Sequence, residues 1–246
     1  MSIALILAAG KGTRMRSDLP KPLVPFRGKP IVTHIIEAFT EARITTIALI
    51  IGFEAEKVKA AIGPGVDYIL QKDQKGTGHA VMQAVEYASL ANTSVFVFVG
   101  DAPLITAETI KKLEAHHLKT QASCTFLTAV FDINLPYARV IKNESGVVIA
   151  CIEEKNATPE QLKIKELLSS HFIFKGEDLF ALIHEIPADK ENGEYYLTDI
   201  ISLFLSNGMK VESLQIDNYQ ELVGLNTPED IAWAEQFTES IKQTQV

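Results

Sequence analysis

Leu7-Ala-Ala-Gly-Lys-Gly-Thr-Arg-Met-Arg-Ser-Asp-Leu-Pro-Lys-Pro22 follows directly on an apolar run, residues 3–7. That run reads as a buried strand ending in small residues. Ala8, Ala9, Gly10 and Gly12 keep side chains out of the way, so successive backbone N–H groups can face a ligand. A concave row of such amides binds anions. Lys11, Arg14, Arg16 and Lys21 add four cations in eleven residues. Bare amides plus cations directly after a first strand suit a polyphosphate. The G-x-G-x-x-G dinucleotide pattern needs a glycine where Met15 stands, and the G-x-x-x-x-G-K-[ST] pattern does not fit either.

Downstream, strand and helix patterns alternate. Residues 30–42 carry apolar positions at helical spacing after Pro30, a favoured first-turn residue. Residues 45–51 read as a strand, 54–62 as a helix stopped by Gly63-Pro-Gly65, and 68–70 as a short strand. A helix over 80–88, a strand over 94–99 and a helix over 106–119 follow. The alternation predicts an α/β fold with a parallel sheet wrapped by helices. Ligands in such sheets bind beyond the carboxyl ends of the strands. The first loop, the loop 71–79 and Asp101 all fall there.

The second half is less regular. Residues 122–130 and 147–153 read as strands, with 143–146 as a hairpin turn, and 159–166 as a polar, helix-like stretch. Residues 167–174 and 210–215 read as strands, and 177–185 and 197–206 as helices. A closing helix over 227–240 is capped by Thr227 with Pro228 at its first position. One domain over 1–246 is expected. It is expected to divide into a nucleotide half over about 1–120, a substrate half over about 121–226 and the closing helix.

The composition, 47% hydrophobic and 22% charged, is that of a globular enzyme. A net charge of −8 argues against a nucleic-acid partner. No apolar run is long enough to span a bilayer, and residues 3–9 lack the basic flank of a signal peptide. The two cysteines, Cys124 and Cys151, sit in apolar segments with no metal or disulfide pattern, which fits a reducing cytoplasm.

Asp101 ends an apolar strand opposite the phosphate loop, where a carboxylate suits a Mg²⁺ that also takes phosphate oxygens. Gln71 and Gly76-Thr77 offer amide and backbone groups to a base edge, uracil or cytosine. His79, at a helix start, reads as structural. A phosphate-monoester nucleophile is largely dianionic near neutrality, since its second pKa is about 6. Such a nucleophile needs alignment and charge neutralisation rather than a general base. Arg14 and Lys21 supply cations for that role.

Together the motifs resemble the sugar-nucleotide pyrophosphorylases, and most closely the uridylyltransferase domain of bacterial N-acetylglucosamine-1-phosphate uridylyltransferases. The matching strings are 7–22, 71–79, 100–104, 153–158, Gly193-Glu-Tyr-Tyr-Leu-Thr-Asp199 and Gly224-Leu-Asn-Thr-Pro228. The resemblance implies a Rossmann-like three-layer α/β/α fold with a mostly parallel mixed sheet. It implies Mg²⁺-dependent transfer from UTP to a sugar 1-phosphate, N-acetylglucosamine 1-phosphate or a related hexosamine, for nucleotide-sugar synthesis serving the cell envelope. By the same resemblance Leu7, Ala8, Ala9, Gly10, Gly12, Gln71, Gly76 and Thr77 hold the nucleotide. Arg14 and Lys21 are catalytic, Asp101 and Asn226 ligate Mg²⁺, and Gly100, Ala138, Glu153, Ser169, Tyr196 and Thr198 face the sugar.

The sequence departs from the family on the sugar side. Val99 replaces a tyrosine, Ala138 a glycine, and Ser169-Ser170-His171 an Asn-Thr-Gly. No hexapeptide repeat is present, so an acetyltransferase activity and a β-helix trimer are not expected. The alternatives are a cytidylyl- or guanylyltransferase and a catalytically silent nucleotide-sugar-binding protein.

Overall fold

The computed structural model describes residues 2–86, 93–133 and 135–244. β1 (Ser2–Ala8) is apolar almost throughout because helices cover both faces of the sheet it centres. It pairs in parallel with β4 (Thr46–Ile51) on one side and β6 (Ser94–Val99) on the other, and β5 (Asp67–Leu70) extends the parallel set beyond β4. Beyond β6 lies β10 (Glu166–Lys175), antiparallel to its neighbours β6 and β7 (Cys124–Val130). β11 (Val211–Gln215) closes that edge parallel to β7. The path is β11-β7-β10-β6-β1-β4-β5, with the hairpin β8 (Ala138–Lys142) and β9 (Val148–Ile152) attached to β10. A separate two-residue pair, β2 (Pro25–Phe26) and β3 (Lys29–Pro30), follows the phosphate loop.

Alternate residues of β1 feed two cores, as the two-residue period of a strand requires. Ala4 and Ile6 meet α1 (Ile31–Glu41), α2 (Ala55–Ile62) and α4 (Ala107–Thr120) through Val32, Ile35, Phe39, Val58, Ile110 and Leu113. Ile3 and Leu5 meet α3 (Gly76–Met82), α5 (Gly176–Leu182) and α6 (Ile200–Ser206) through Val81, Leu179, Ile201 and Phe204. This is the expected three-layer α/β/α arrangement with a mixed sheet. α7 (Pro228–Thr244) closes the chain with a reciprocal cap. The Asp230 N–H donates to Thr227 Oγ1 at 3.1 Å, and the Thr227 N–H donates to Asp230 Oδ2 at 2.9 Å.

Several expectations shift. The helix expected over 80–88 begins at Gly76 and its α portion ends at Met82, while residues 87 and 88 lie outside the described residues. The hairpin turn at 143–146 joins β9 to β8 rather than to the strand over 122–130. Residues 138–142 were not expected as a strand. The stretch 159–166 holds only a short 3-10 turn, Gln161–Lys163, before β10 starts. The helices over 177–185 and 197–206 each combine one α and one 3-10 turn segment.

Candidate active site

The carboxyl ends of β1, β5 and β6 deliver three loops to one side of the sheet. The chain leaving β1 is tied to its neighbours by backbone bonds: Phe53 N donates to Ala9 O at 3.1 Å and Gly100 N to Leu7 O at 2.9 Å. Beyond Gly10 a 3-10 turn, Thr13–Met15, buries Met15 against Val24, Phe26 and Ile31, fixing the loop from below. A second 3-10 turn, Lys21–Leu23, is braced by Pro20 and Pro22 and aims Lys21 back across the sheet.

These loops enclose a cavity of about 210 Å³. Its walls include Leu7, Ala8, Ala9, Gly10, Gln71, Gly76, Thr77 and Gly100, so most of the residues assigned to the nucleotide meet in one place. Gly12 does not line it. A side chain at Gly12 would collide with the Lys21 stem, and this close passage explains the glycine. Gly100, assigned to the sugar, lines this cavity instead of its neighbour.

Gln71 is only 3% exposed, not the solvated loop residue its polar setting suggests. Its Nε2 donates to Gly76 O at 3.1 Å and lies 2.9 Å from His79 Nδ1. His79 therefore holds the glutamine amide in place, the structural role expected of it. With both amide hydrogens engaged, Oε1 is left as the acceptor open to a ligand. Gln74, missed in the sequence, joins the wall and donates to Gln71 O at 3.0 Å.

A second cavity, of about 360 Å³, shares Thr77, Val99 and Asp101 with the first. Ala138, Glu153, Ser169, Tyr196 and Thr198 line it together with Arg14 and Asn226. Burial raises the Glu153 pKa, opposed by a hydrogen bond from the Thr198 side chain. Tyr196 is held from outside: the Lys155 ammonium sits 4.6 Å from its ring centre, and Asn192 Nδ2 donates to its hydroxyl at 2.7 Å.

Four polar residues meet along the shared wall. Lys21 Nζ pairs with Asp101 Oδ2 and donates to Asn226 Oδ1 at 2.7 Å, while Arg14 Nη2 donates to the same Oδ1 at 2.9 Å. Asn226 Nδ2 donates to Gly224 O at 2.9 Å, which turns the amide oxygen toward the cations. Leu225 N donates to Asp101 O, and Gly224 N to the Tyr137 hydroxyl at 2.9 Å. Tyr137 is thus a support that its place in the sequence did not reveal, and burial raises its pKa.

The donor set suits Mg²⁺. Asp101 Oδ2 and Asn226 Oδ1 both face one ammonium, so two hard oxygen donors converge on a single cationic point. Mg²⁺ keeps several waters and takes phosphate oxygens, so one carboxylate and one amide suffice. No cluster of three or more His, Cys, Asp or Glu occurs among the described residues.

Residues 4–183 match the MobA-like NTP transferase domain family. The chain belongs to that family. Among curated relatives, the bifunctional protein GlmU of Exiguobacterium sibiricum is 40% identical over 232 residues, covering 94% of this chain and 52% of the relative. The GlmU of Enterococcus faecalis is 41% identical over 223 residues, covering 91% and 49%. The chain spans about half the length of these relatives. A Bacillus anthracis crystal structure described as a glucose-1-phosphate thymidylyltransferase superposes with a TM-score of 0.78 at 20% identity, covering 96% of this chain and 95% of that one. That likeness bears out the expected three-layer α/β/α fold with a mostly parallel mixed sheet. No helix among the described residues is long and apolar enough to cross a membrane.

Proposed function

We propose that the protein is a Mg²⁺-dependent uridylyltransferase joining UTP and a sugar 1-phosphate, N-acetylglucosamine 1-phosphate or a related hexosamine, to give a UDP-sugar and pyrophosphate. One observation carries the reading: Arg14, Lys21, Asp101 and Asn226 meet on the wall between two cavities. An α-phosphate bound from one side and a sugar phosphate from the other would meet at that wall.

In the reaction, a sugar-phosphate oxygen attacks the α-phosphorus of UTP and the bond to the β-phosphate breaks, with pyrophosphate leaving in line. Asp101 and Asn226 would hold the Mg²⁺, whose charge offsets that of the phosphates. Lys21 and Arg14 neutralise and align the two phosphates, with no proton to remove from the nucleophile. The open Gln71 Oε1 would accept the uracil N3–H, and Glu153 and Thr198 would bind sugar hydroxyls. The buried free thiols Cys124 and Cys151 are compatible with a cytoplasmic setting.

The test is pyrophosphate release from a matrix of UTP, CTP, dTTP and GTP against several sugar 1-phosphates with Mg²⁺. UTP should dominate, and a matrix in which no pair turns over refutes the reading. Asp101→Asn should lower turnover by about 10²-fold or more, the scale on which an electrostatic group at the reacting phosphate acts. A silent binding protein would show no turnover to lose.

A further inference from the structure

β10 carries a break in its ladder with β7. Leu168 lies opposite Thr128, but Phe172 lies opposite Phe126, so four steps along β10 span two along β7. The excess is taken up at Ser170, whose φ of 63° is left-handed, a conformation that side chains other than glycine rarely adopt. Bulges of this kind re-aim neighbouring side chains and are over-represented beside active sites.

Here the bulge brings Ser169 and His171 together: Ser169 Oγ lies 3.0 Å from His171 Nδ1. Ser169 lines the second cavity beside Ala138 and Leu168. His171 is fully buried, edge-on to Phe98 at 4.7 Å, and its Nε2 has no hydrogen-bond partner among the described residues. Burial holds the imidazole neutral, with its pKa lowered to about 4. An imidazole in an apolar bed with one nitrogen unpaired costs stability that a phenyl ring would not. Among the described residues its side-chain hydrogen-bond partner is Ser169.

A neutral imidazole carries one N–H. On Nε2 that hydrogen would be a buried donor without an acceptor, and orphaned buried donors are rarer than orphaned acceptors. On Nδ1 it faces Ser169 Oγ at 3.0 Å. Ser169 Oγ then accepts from His171, and its own hydrogen is left for the cavity.

Building on the proposed transferase reading, we propose that His171 is a positioning residue that fixes the Ser169 hydroxyl as a hydrogen-bond donor to the sugar of the incoming sugar 1-phosphate. Val99, Ala138 and Leu168 give the same cavity apolar surface, against which the Ser169 hydroxyl offers a polar point of contact. The matching substrate presents an acceptor oxygen there, a hydroxyl or a carbonyl.

Steady-state kinetics on the full chain test the pair. Ser169→Ala should raise KM for the sugar 1-phosphate about five- to tenfold, the value of one hydrogen bond, with KM for UTP within about twofold. His171→Phe should act in the same sense, and Ser169→Ala/His171→Phe should be no worse than Ser169→Ala alone. His171→Asn, whose amide can stand in for Nδ1, should keep most of the wild-type KM, whereas His171→Gln should not. Additive single effects, or a His171→Phe variant that shifts the UTP and sugar KM values equally, would overturn the proposal. A long-range ¹H–¹⁵N spectrum of the wild-type protein gives an answer independent of turnover. A proton on Nδ1 supports the His171-to-Ser169 hydrogen bond that the proposal needs, and a proton on Nε2 overturns the proposal even where the substrate matrix has upheld the transferase reading.

Discussion

Gly224 stands directly behind Asp101. A Cβ placed on it would lie 2.9 Å from Asp101 Oδ1 and 3.2 Å from both Cγ and Oδ2. Ordinary contact requires the carboxylate to give by about half an ångström. The main chain of Asp101 cannot easily yield, because Leu225 N holds its carbonyl at 2.8 Å. The side chain must rotate instead, away from the point it shares with Asn226 Oδ1. Gly224 is not among the residues with left-handed φ, so alanine meets no backbone penalty there and the fold should be kept. Displaced metal-site geometry typically costs 10–100-fold in metal affinity. Gly224→Ala should therefore raise the Mg²⁺ concentration for half-maximal pyrophosphate release by about 10–100-fold. Tm should stay close to that of the wild type. The assay is a Mg²⁺ titration at saturating UTP and sugar 1-phosphate, paired with a thermal melt. A folded Gly224→Ala enzyme with the wild-type Mg²⁺ profile would refute the placement of the metal on Asp101.

Two further outcomes follow from the same geometry. Gly76 has φ 91°, and a Cβ there would lie 2.5 Å from Tyr195 O, so Gly76→Ala should cost about 2 kcal/mol and lower Tm by about 4–8 °C; an unshifted melt would show that the 195 segment moves freely. Burial raises the Glu153 pKa, so the fold favours its neutral form; the stability it contributes is full below the unfolded-state value near 4.5 and is lost as pH rises through the folded-state value. Glu153→Gln should accordingly raise Tm at about pH 8 and hardly at about pH 4, and an equal shift at both pH values would contradict that burial.

The phosphate loop could be read from its own residues because its logic is local: small residues after an apolar strand, then cations. The three-layer arrangement was legible for the same reason, since strand and helix periods alternate through residue 120. What escaped depends on contacts between distant segments. An apolar run such as 167–174 looks the same whether it will pair parallel or antiparallel, so the direction of β10 was hidden. Two glycines made residues 76–79 look like loop, yet α3 starts there because Gly76 and Gly78 pack under the Tyr195 backbone. Ala138–Lys142 is short, and Arg139 and Lys142 interrupt its apolar residues, so nothing in its pattern marks it as a strand. The Ser170 bulge leaves no trace in residue type, and Gly224 shows its purpose only against Asp101. Among the site residues, Gly12 was read as part of the amide cradle when its constraint is the passage of Lys21.

The backbone around Tyr195 bears on how such a chain can be taken apart. Tyr195 N donates to Lys75 O and Gly78 N to Tyr195 O, each at 2.8 Å, and Leu197 N donates to the Thr77 hydroxyl at 2.9 Å. The segment 75–78 at the first cavity is thus stitched to one lying about 120 positions later, beside the second cavity. The two halves are not interchangeable modules. A second half grafted from a relative would have to bring the same main-chain path at 195–197, or the loop 71–79 would lose its anchor. On the proposed reading, divergence toward new sugars would fall on side chains such as Ser169 and His171, which can vary while the stitching stays in place.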